Sequence, residues 1–201
     1  MSSVVVSAAY SARAAEYTSL FGSINSAQPE DQQLVLEWAS GLSGKVLDAG
    51  CGPGQWTNFL HSAGVDVEGV DLVPEFLETA RQNFPEVPFS LGSFETLPTP
   101  DQSLAGILAW YSVIHTPPAN IGRVLDEFAR CTKPDGGLLL GFFDGPSGES
   151  FPHAVTPAYF WSVEEMSARL LKAGFTMVSA HSRVDPEARP HAAITAIRTK
   201  L

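Results

Sequence analysis

Three glycines at alternate positions, Gly50, Gly52 and Gly54, follow the apolar pair Val46 and Leu47, and Asp71 closes the next apolar stretch, VDVEGV. Glycine lets a backbone come within contact distance of a ligand where any Cβ would intrude. A carboxylate at the end of the following strand can accept hydrogen bonds from both hydroxyls of a ribose. Strand, GCGPG turn and acid together describe a site for a nucleotide-type cofactor. The spacing is G-x-G-x-G, whereas the dinucleotide fingerprint is G-x-G-x-x-G with a helix opening at once on a pyrophosphate. The loop is therefore of another kind.

The elements that must position these residues alternate along the chain. Apolar residues at helical spacing mark Pro29 to Leu42 as a helix preceding the first strand. Then come a strand at Lys45 to Asp48, a helix at Pro53 to Ala63 and a strand at Val65 to Val70. A helix over Pro74 to Asn83 buries Phe76, Leu77 and Ala80, and a third strand follows at Val87 to Leu91. LAGILAW, Leu104 to Trp110, has the unbroken apolar character of a central parallel strand. A helix from about Pro118 to Cys131, a turn at KPDGG and a strand at Leu138 to Phe143 come next. The Pro- and Gly-containing stretch Asp144 to Pro157 reads as a long loop, the kind that is usually functional. A helix over Val163 to Lys172 leads to two final strands, Phe175 to Ser182 and Ala192 to Arg198. With no helix between them, those two must pair antiparallel. The alternation predicts an α/β, doubly wound, mostly parallel sheet with ligands beyond the strands' carboxyl ends.

Length and composition fit one domain over residues 1–201. The 22 acidic side chains against 12 Lys and Arg argue against a nucleic-acid partner, which needs a basic footprint. No segment approaches the roughly twenty apolar residues that span a bilayer, and the first residues lack a secretory pattern, so a cytoplasmic protein without a membrane partner is expected. Cys51 and Cys131 have no partners at metal-binding spacing and read as core residues.

On these residues the chain resembles the class I S-adenosylmethionine-dependent methyltransferases, in particular their small ubiquinone-biosynthesis-like group. VLDAGCGPG looks like the family's first motif, Asp71 like its ribose acid, GSFETLP like its third-strand loop and LAWYSVIH like its fourth-strand motif. The resemblance implies a Rossmann-like fold of seven strands, the seventh antiparallel between the fifth and sixth. It implies S-adenosylmethionine as cofactor, with Asp48, Gly50, Cys51 and Gly52 around the methionine half, Asp71 on the ribose and Leu72 on the adenine. Ser93 stands where the family usually has an acid that reads the adenine amino group, and the Phe94 backbone would serve the ring. Ala109 and Trp110 would line the sulfonium region, although a strand-end core position suits Trp110 and Tyr111 equally. Residues 1–28 would form an amino-terminal cap, with Tyr10 and Arg13 toward the methionine carboxylate or over the pocket; a frayed solvated helix is the other reading.

Methyl transfer from a sulfonium is an in-line displacement with a neutral thioether leaving, so alignment and water exclusion are the main demands. An acceptor that must lose a proton adds a general base, for which His115 after the fourth strand is the candidate; a structural histidine bonding the loop is the alternative. Tyr111, His153, Tyr159 and Trp161 are candidates for an acceptor pocket, Phe160 completing an aromatic set that would otherwise be a packed lid. Asp144 and Glu149 lack a third matched ligand, so no metal is expected. No N-P-P-Y motif follows the fourth strand, which favours a small-molecule acceptor over DNA, RNA or protein. The alternatives are a protein that binds the cofactor without catalysis and, further off, an NAD-dependent oxidoreductase.

Overall fold

The computed structural model describes residues 3–186 and 188–199. Its centre is a seven-stranded sheet built from β1 (Val46–Ala49), β2 (Val67–Asp71), β3 (Phe89–Leu91), β4 (Leu104–Trp110), β5 (Thr132–Phe143), β8 (Phe175–Arg183) and β9 (His191–Arg198), in the order β3-β2-β1-β4-β5-β9-β8. β1 to β5 run parallel, while β9 is antiparallel to both β5 and β8. The seventh strand thus sits reversed between the fifth and sixth, as the resemblance implied. Two short strands, β6 (Ser150–Phe151) inside the stretch expected to be a loop and β7 (Ala158–Tyr159) just after it, form a separate hairpin.

Seven α-helices flank the sheet: α1 (Ser3–Ser11), α2 (Ala14–Phe21), α3 (Pro29–Ser40), α4 (Gln55–Ser62), α5 (Pro74–Asn83), α6 (Ile121–Cys131) and α7 (Val163–Lys172). Proline at the first turn starts α3 and α5, where a missing N–H leaves no bond unmade. Ser162 caps α7 by accepting the Glu165 amide. α6 begins three residues later than the sequence suggests, because Pro117 and Pro118 hold a turn that ends at Asn120. KPDGG does turn the chain, yet as an excursion within β5. Thr132 already pairs with Leu104, Asp135 takes φ 64°, and pairing resumes at Gly137 opposite Gly106.

Alternate residues of the central strands feed two cores. Ile107, Leu138 and Leu140 pack with Val124, Leu125 and Phe128 of α6 and with Leu170 of α7. Leu108 and Leu139 point the other way, onto Val35 and Ala39 of α3 and Leu60 of α4. This fixes the sheet so that Ala49, Asp71, Trp110 and Phe143 end on one edge. β8 runs parallel to β5, so the link from β8 to β9 falls on that edge too. No described helix is long and apolar enough to cross a membrane.

Candidate functional site

The loop after β1 is bonded to β2 before any ligand is considered. The amides of Gly50 and Cys51 both donate to the Val70 carbonyl. Asp71 then closes the loop from below: its Oδ2 accepts the Gly52 amide at 2.8 Å and its Oδ1 the Val73 amide at 2.9 Å. Burial raises the Asp71 pKa, and these backbone donors oppose the shift. Gly50, Gly52 and Gly54 have φ of 80°, 55° and 87°, the left-handed region. A Cβ at Gly50 would lie 2.4 Å from the Ser112 Cβ, and one at Gly54 2.7 Å from the Phe89 ring. At Gly52 it would meet only the Tyr17 ring, at 3.9 Å. Two of the three glycines therefore serve packing, and Gly52 keeps the cleft open.

A cleft of about 820 Å³ lies over this loop and is lined by Gly50, Gly52, Asp71, Leu72, Ser93 and Phe94, with Tyr10 and Tyr17 from the amino-terminal helices above. It opens into a larger space of about 1490 Å³ that includes Asp48, Cys51, Gln55, Trp56, Phe143 and His153. Trp110 and Tyr111 line both. Asp48 is buried with its Oδ2 accepting the Thr57 hydroxyl at 2.7 Å; burial, reinforced by the Asp71 charge, pushes its pKa up to about 7. A floor of two crowded acids matches a ligand carrying cationic groups and a diol. Gln55 Oε1 and Ser112 Oγ are buried without hydrogen-bond partners at the same floor. Orphaned polar atoms beside an open cradle fit a polar occupant.

His115 is held at both ring nitrogens. Its Nε2 lies 2.9 Å from the Tyr10 hydroxyl on α1, and its Nδ1 2.9 Å from the Pro157 carbonyl. The carbonyl can only accept, so Nδ1 carries the proton and Nε2 accepts from Tyr10. Burial lowers the His115 pKa and keeps the ring neutral. His153 stacks edge-on against it, with an unpartnered Nδ1 and a pKa pushed down to about 4 by burial, by the neighbouring His115 and by the Arg189 charge. Arg13 pairs with Glu16 and donates to the Ala154 carbonyl, pinning the arm to the loop before β7.

Other candidates lie apart from the clefts. Ala109 and Trp161 are in the main core, Trp161 with the Arg169 guanidinium 4.7 Å above its ring. Tyr159 is half-buried in β7 and lines neither cleft, its amide donating to Ile114. The Ser93 hydroxyl accepts the Glu95 amide. Among the described residues, no three His, Cys, Asp or Glu side chains are grouped to hold a metal ion.

The structure adds a cluster that sequence reasoning missed. Tyr111, at φ 54°, places its hydroxyl 3.0 Å from His191 Nδ1. His191 Nε2 faces Asp185 at 3.7 Å, and Arg183 bridges Asp185 and Asp31. Asp31 comes from α3, Arg183 from the end of β8, Asp185 from the connection that follows and His191 from the start of β9, too far apart in sequence to form a motif. The available signal was three ionisable residues where the last hairpin turns, on the ligand edge of the sheet.

A family described as a methyltransferase domain matches residues 46–136. An uncharacterized methyltransferase of Mycobacterium tuberculosis is 32% identical over 128 residues, 62% of this chain and 50% of its own length. This chain thus spans half of that relative. An uncharacterized methyltransferase of Synechocystis is 30% identical over 146 residues, covering 68% of this chain and 69% of its own. The fold is similar to that of Burkholderia thailandensis 1,6-didemethyltoxoflavin-N1-methyltransferase, with a TM-score of 0.79 and 22% identity over 100% of this chain and 92% of the other. Glycine loop, acid at the end of β2, reversed seventh strand and sequence kinship agree: the chain belongs to the class I S-adenosylmethionine-dependent methyltransferases.

Proposed function

We propose that the chain binds S-adenosylmethionine in the cleft over the glycine loop and transfers its methyl group to a small-molecule acceptor in the adjoining aromatic space. The observation that carries this reading is the continuity of the two spaces across Gly50, Gly52, Trp110 and Tyr111. When bound, the cofactor supplies an activated methyl on a sulfonium whose departure leaves a neutral thioether. In this reading Asp71 accepts from the ribose hydroxyls, Leu72 and Phe94 flank the adenine, and Ser93 offers a hydroxyl at its edge. Asp48, with Gln55 and Ser112 near it, answers the cationic amino-acid end. Cys51 contributes only its buried backbone position, since burial raises its thiol pKa.

The family membership favours transfer over the binding-only and NAD-dependent alternatives. Residues 3–28 act as a cap on one domain, residues 1 and 2 lying outside the described residues: Tyr10 and Tyr17 cover the cleft while Tyr10–His115 and Arg13–Ala154 fasten the arm to the body. His115 in this reading is a latch, because neither nitrogen is left to take a proton from an acceptor. The excess of acidic residues supports a small-molecule acceptor over nucleic acid, and the free buried cysteines suit a cytoplasmic setting.

Calorimetry with S-adenosylhomocysteine tests the cofactor half of the reading, and release of that product on offering phenols, amines, thiols and carboxylic acids tests the transfer. Absence of binding at millimolar ligand would overturn it.

A further inference from the structure

Resting on the methyltransferase reading, we propose that Tyr111 and His191 together take the proton of the acceptor, and that the acceptor is a flat conjugated ring carrying an ionisable hydroxyl. Tyr111 is the polar side chain that lines the cofactor cleft, the aromatic space and the small recess behind it. With His191 Nε2 facing the Asp185 carboxylate and holding the ring proton, Nδ1 is the acceptor for the Tyr111 hydroxyl, which keeps a lone pair for a second partner. A non-glycine residue held at φ 54° beside a cleft is the kind of strain that structure retains for a purpose.

The proton balance closes within the cluster. As the acceptor oxygen bonds to the methyl carbon, the methyl–sulfur bond would break with its electron pair going to the leaving thioether, and the acceptor's O–H proton passes to the Tyr111 oxygen. The Tyr111 proton moves in the same step to His191 Nδ1. Tyr111 is neutral before and after, as its burial requires. Before transfer, Asp31, Asp185 and Arg183 sum to one negative charge around a neutral ring; afterwards the imidazolium brings the group to zero. Glu30 on α3 and His181 on β8 border the same recess. Burial and Arg183 keep His191 uncharged and ready, while Asp185 and Asp31 favour the charged form.

The geometry also selects the acceptor. Trp56, Trp110, Tyr111 and Phe143 present ring faces and edges suited to a flat partner. A histidine whose pKa is below the ordinary value receives a proton readily only from an acidic donor, which a conjugated hydroxyl is and an aliphatic alcohol is not.

The test uses 4-nitrophenol, whose ionised form absorbs in the visible, added to the full chain saturated with S-adenosylhomocysteine. The parent is expected to bind it and raise its ionised-to-neutral ratio about tenfold over that in water, with no proton released to a weakly buffered solution. Tyr111→Phe and His191→Asn, each assayed at a concentration of S-adenosylhomocysteine that saturates that variant, are expected to leave the ratio at its value in water. Ionisation in both variants equal to the parent's overturns the proposal, as does failure of the S-adenosylhomocysteine-loaded parent to bind the phenol. Failure to bind S-adenosylhomocysteine at all overturns the underlying methyltransferase reading instead.

Discussion

The Tyr10 hydroxyl on α1 donates to His115 Nε2 at 2.9 Å, joining the arm above the cleft to the segment that follows β4. The same ring donates from Nδ1 to Pro157, so one histidine ties together three stretches of chain that are remote in sequence.

His115→Ala is expected to lower stability by about 1–3 kcal/mol, the effect of orphaning buried partners, and with it Tm by about 2–4 °C per kcal/mol. S-adenosylhomocysteine affinity should fall together with Tm, since the arm loosens, and turnover should follow cofactor occupancy. Because burial holds the folded pKa below the ordinary 6.5, the unfolded chain binds more protons between the two values. The histidine's contribution is thus complete above about pH 6.5 and lost as pH falls through the folded value. Urea unfolding from pH 8 to 5 should show that slope in the parent, flattened in the variant.

Gly50 and Gly52 should separate fold from ligand. Gly50→Ala drives a methyl into Ser112 from a left-handed backbone and should lower Tm markedly. Gly52→Ala meets nothing closer than Tyr17, so its stability loss should be limited to the left-handed penalty, about 1–2 kcal/mol. Its binding of S-adenosylhomocysteine should fall at least tenfold, because the methyl occupies the cleft. Calorimetry and thermal unfolding on the pair check both halves.

Asp71→Asn is the informative change at the ribose acid. Asp71→Ala would also release the Gly52 and Val73 amides, mixing loop collapse with lost ligand contacts. The amide keeps one acceptor oxygen and removes the charge. Charge-assisted hydrogen bonds contribute about 1.5–3 kcal/mol each, so affinity should drop roughly 10- to 100-fold, while Tm should fall less than in Asp71→Ala because one of the two backbone amides keeps its acceptor. Equal affinity in the variant would move the ribose elsewhere.

Asp48 should make cofactor binding pH-dependent. Its pKa in the free protein is pushed up to about 7, and a bound cationic amino group favours the carboxylate. Below that value binding must first expel a proton, so affinity should weaken up to about tenfold per pH unit as pH falls. Without ligand the sign reverses: an acid whose folded pKa is raised loses its stability contribution as pH rises through about 7. Asp48→Asn should therefore flatten the binding profile and raise Tm at pH 8. Titrations in buffers of different ionisation heat would detect the released proton.

Much of the fold was legible where local chemistry and packing agree. α5 and β4 lie where the stripe of Phe76, Leu77 and Ala80 and a seven-residue apolar run put them, and α7 spans the expected Val163 to Lys172. The floor of the candidate site was legible because its parts lie within one strand–turn–helix–strand unit. β6 and β7 were not, being two residues each, too short for an alternation to read. The Tyr111 cluster was hidden for a different reason: its members converge only when β9 inserts beside β5. Tyr159 and Trp161 read as pocket residues by composition, and only packing shows them on β7 and in the core.

That insertion also governs how the molecule is made. β9 follows β8 in the chain, yet it is the inner strand, bonded to β5 on one side and β8 on the other. During synthesis, Leu138 to Phe142 of β5 leave the ribosome long before their neighbour exists. β8, emerging first, cannot take the place meant for a reversed strand. The nascent sheet therefore carries an unpaired apolar edge until the final hairpin is complete, a state prone to intermolecular pairing. Acquisition of native structure should be a late, concerted event, and arrested or shortened chains ending before His191 should be clients for chaperones.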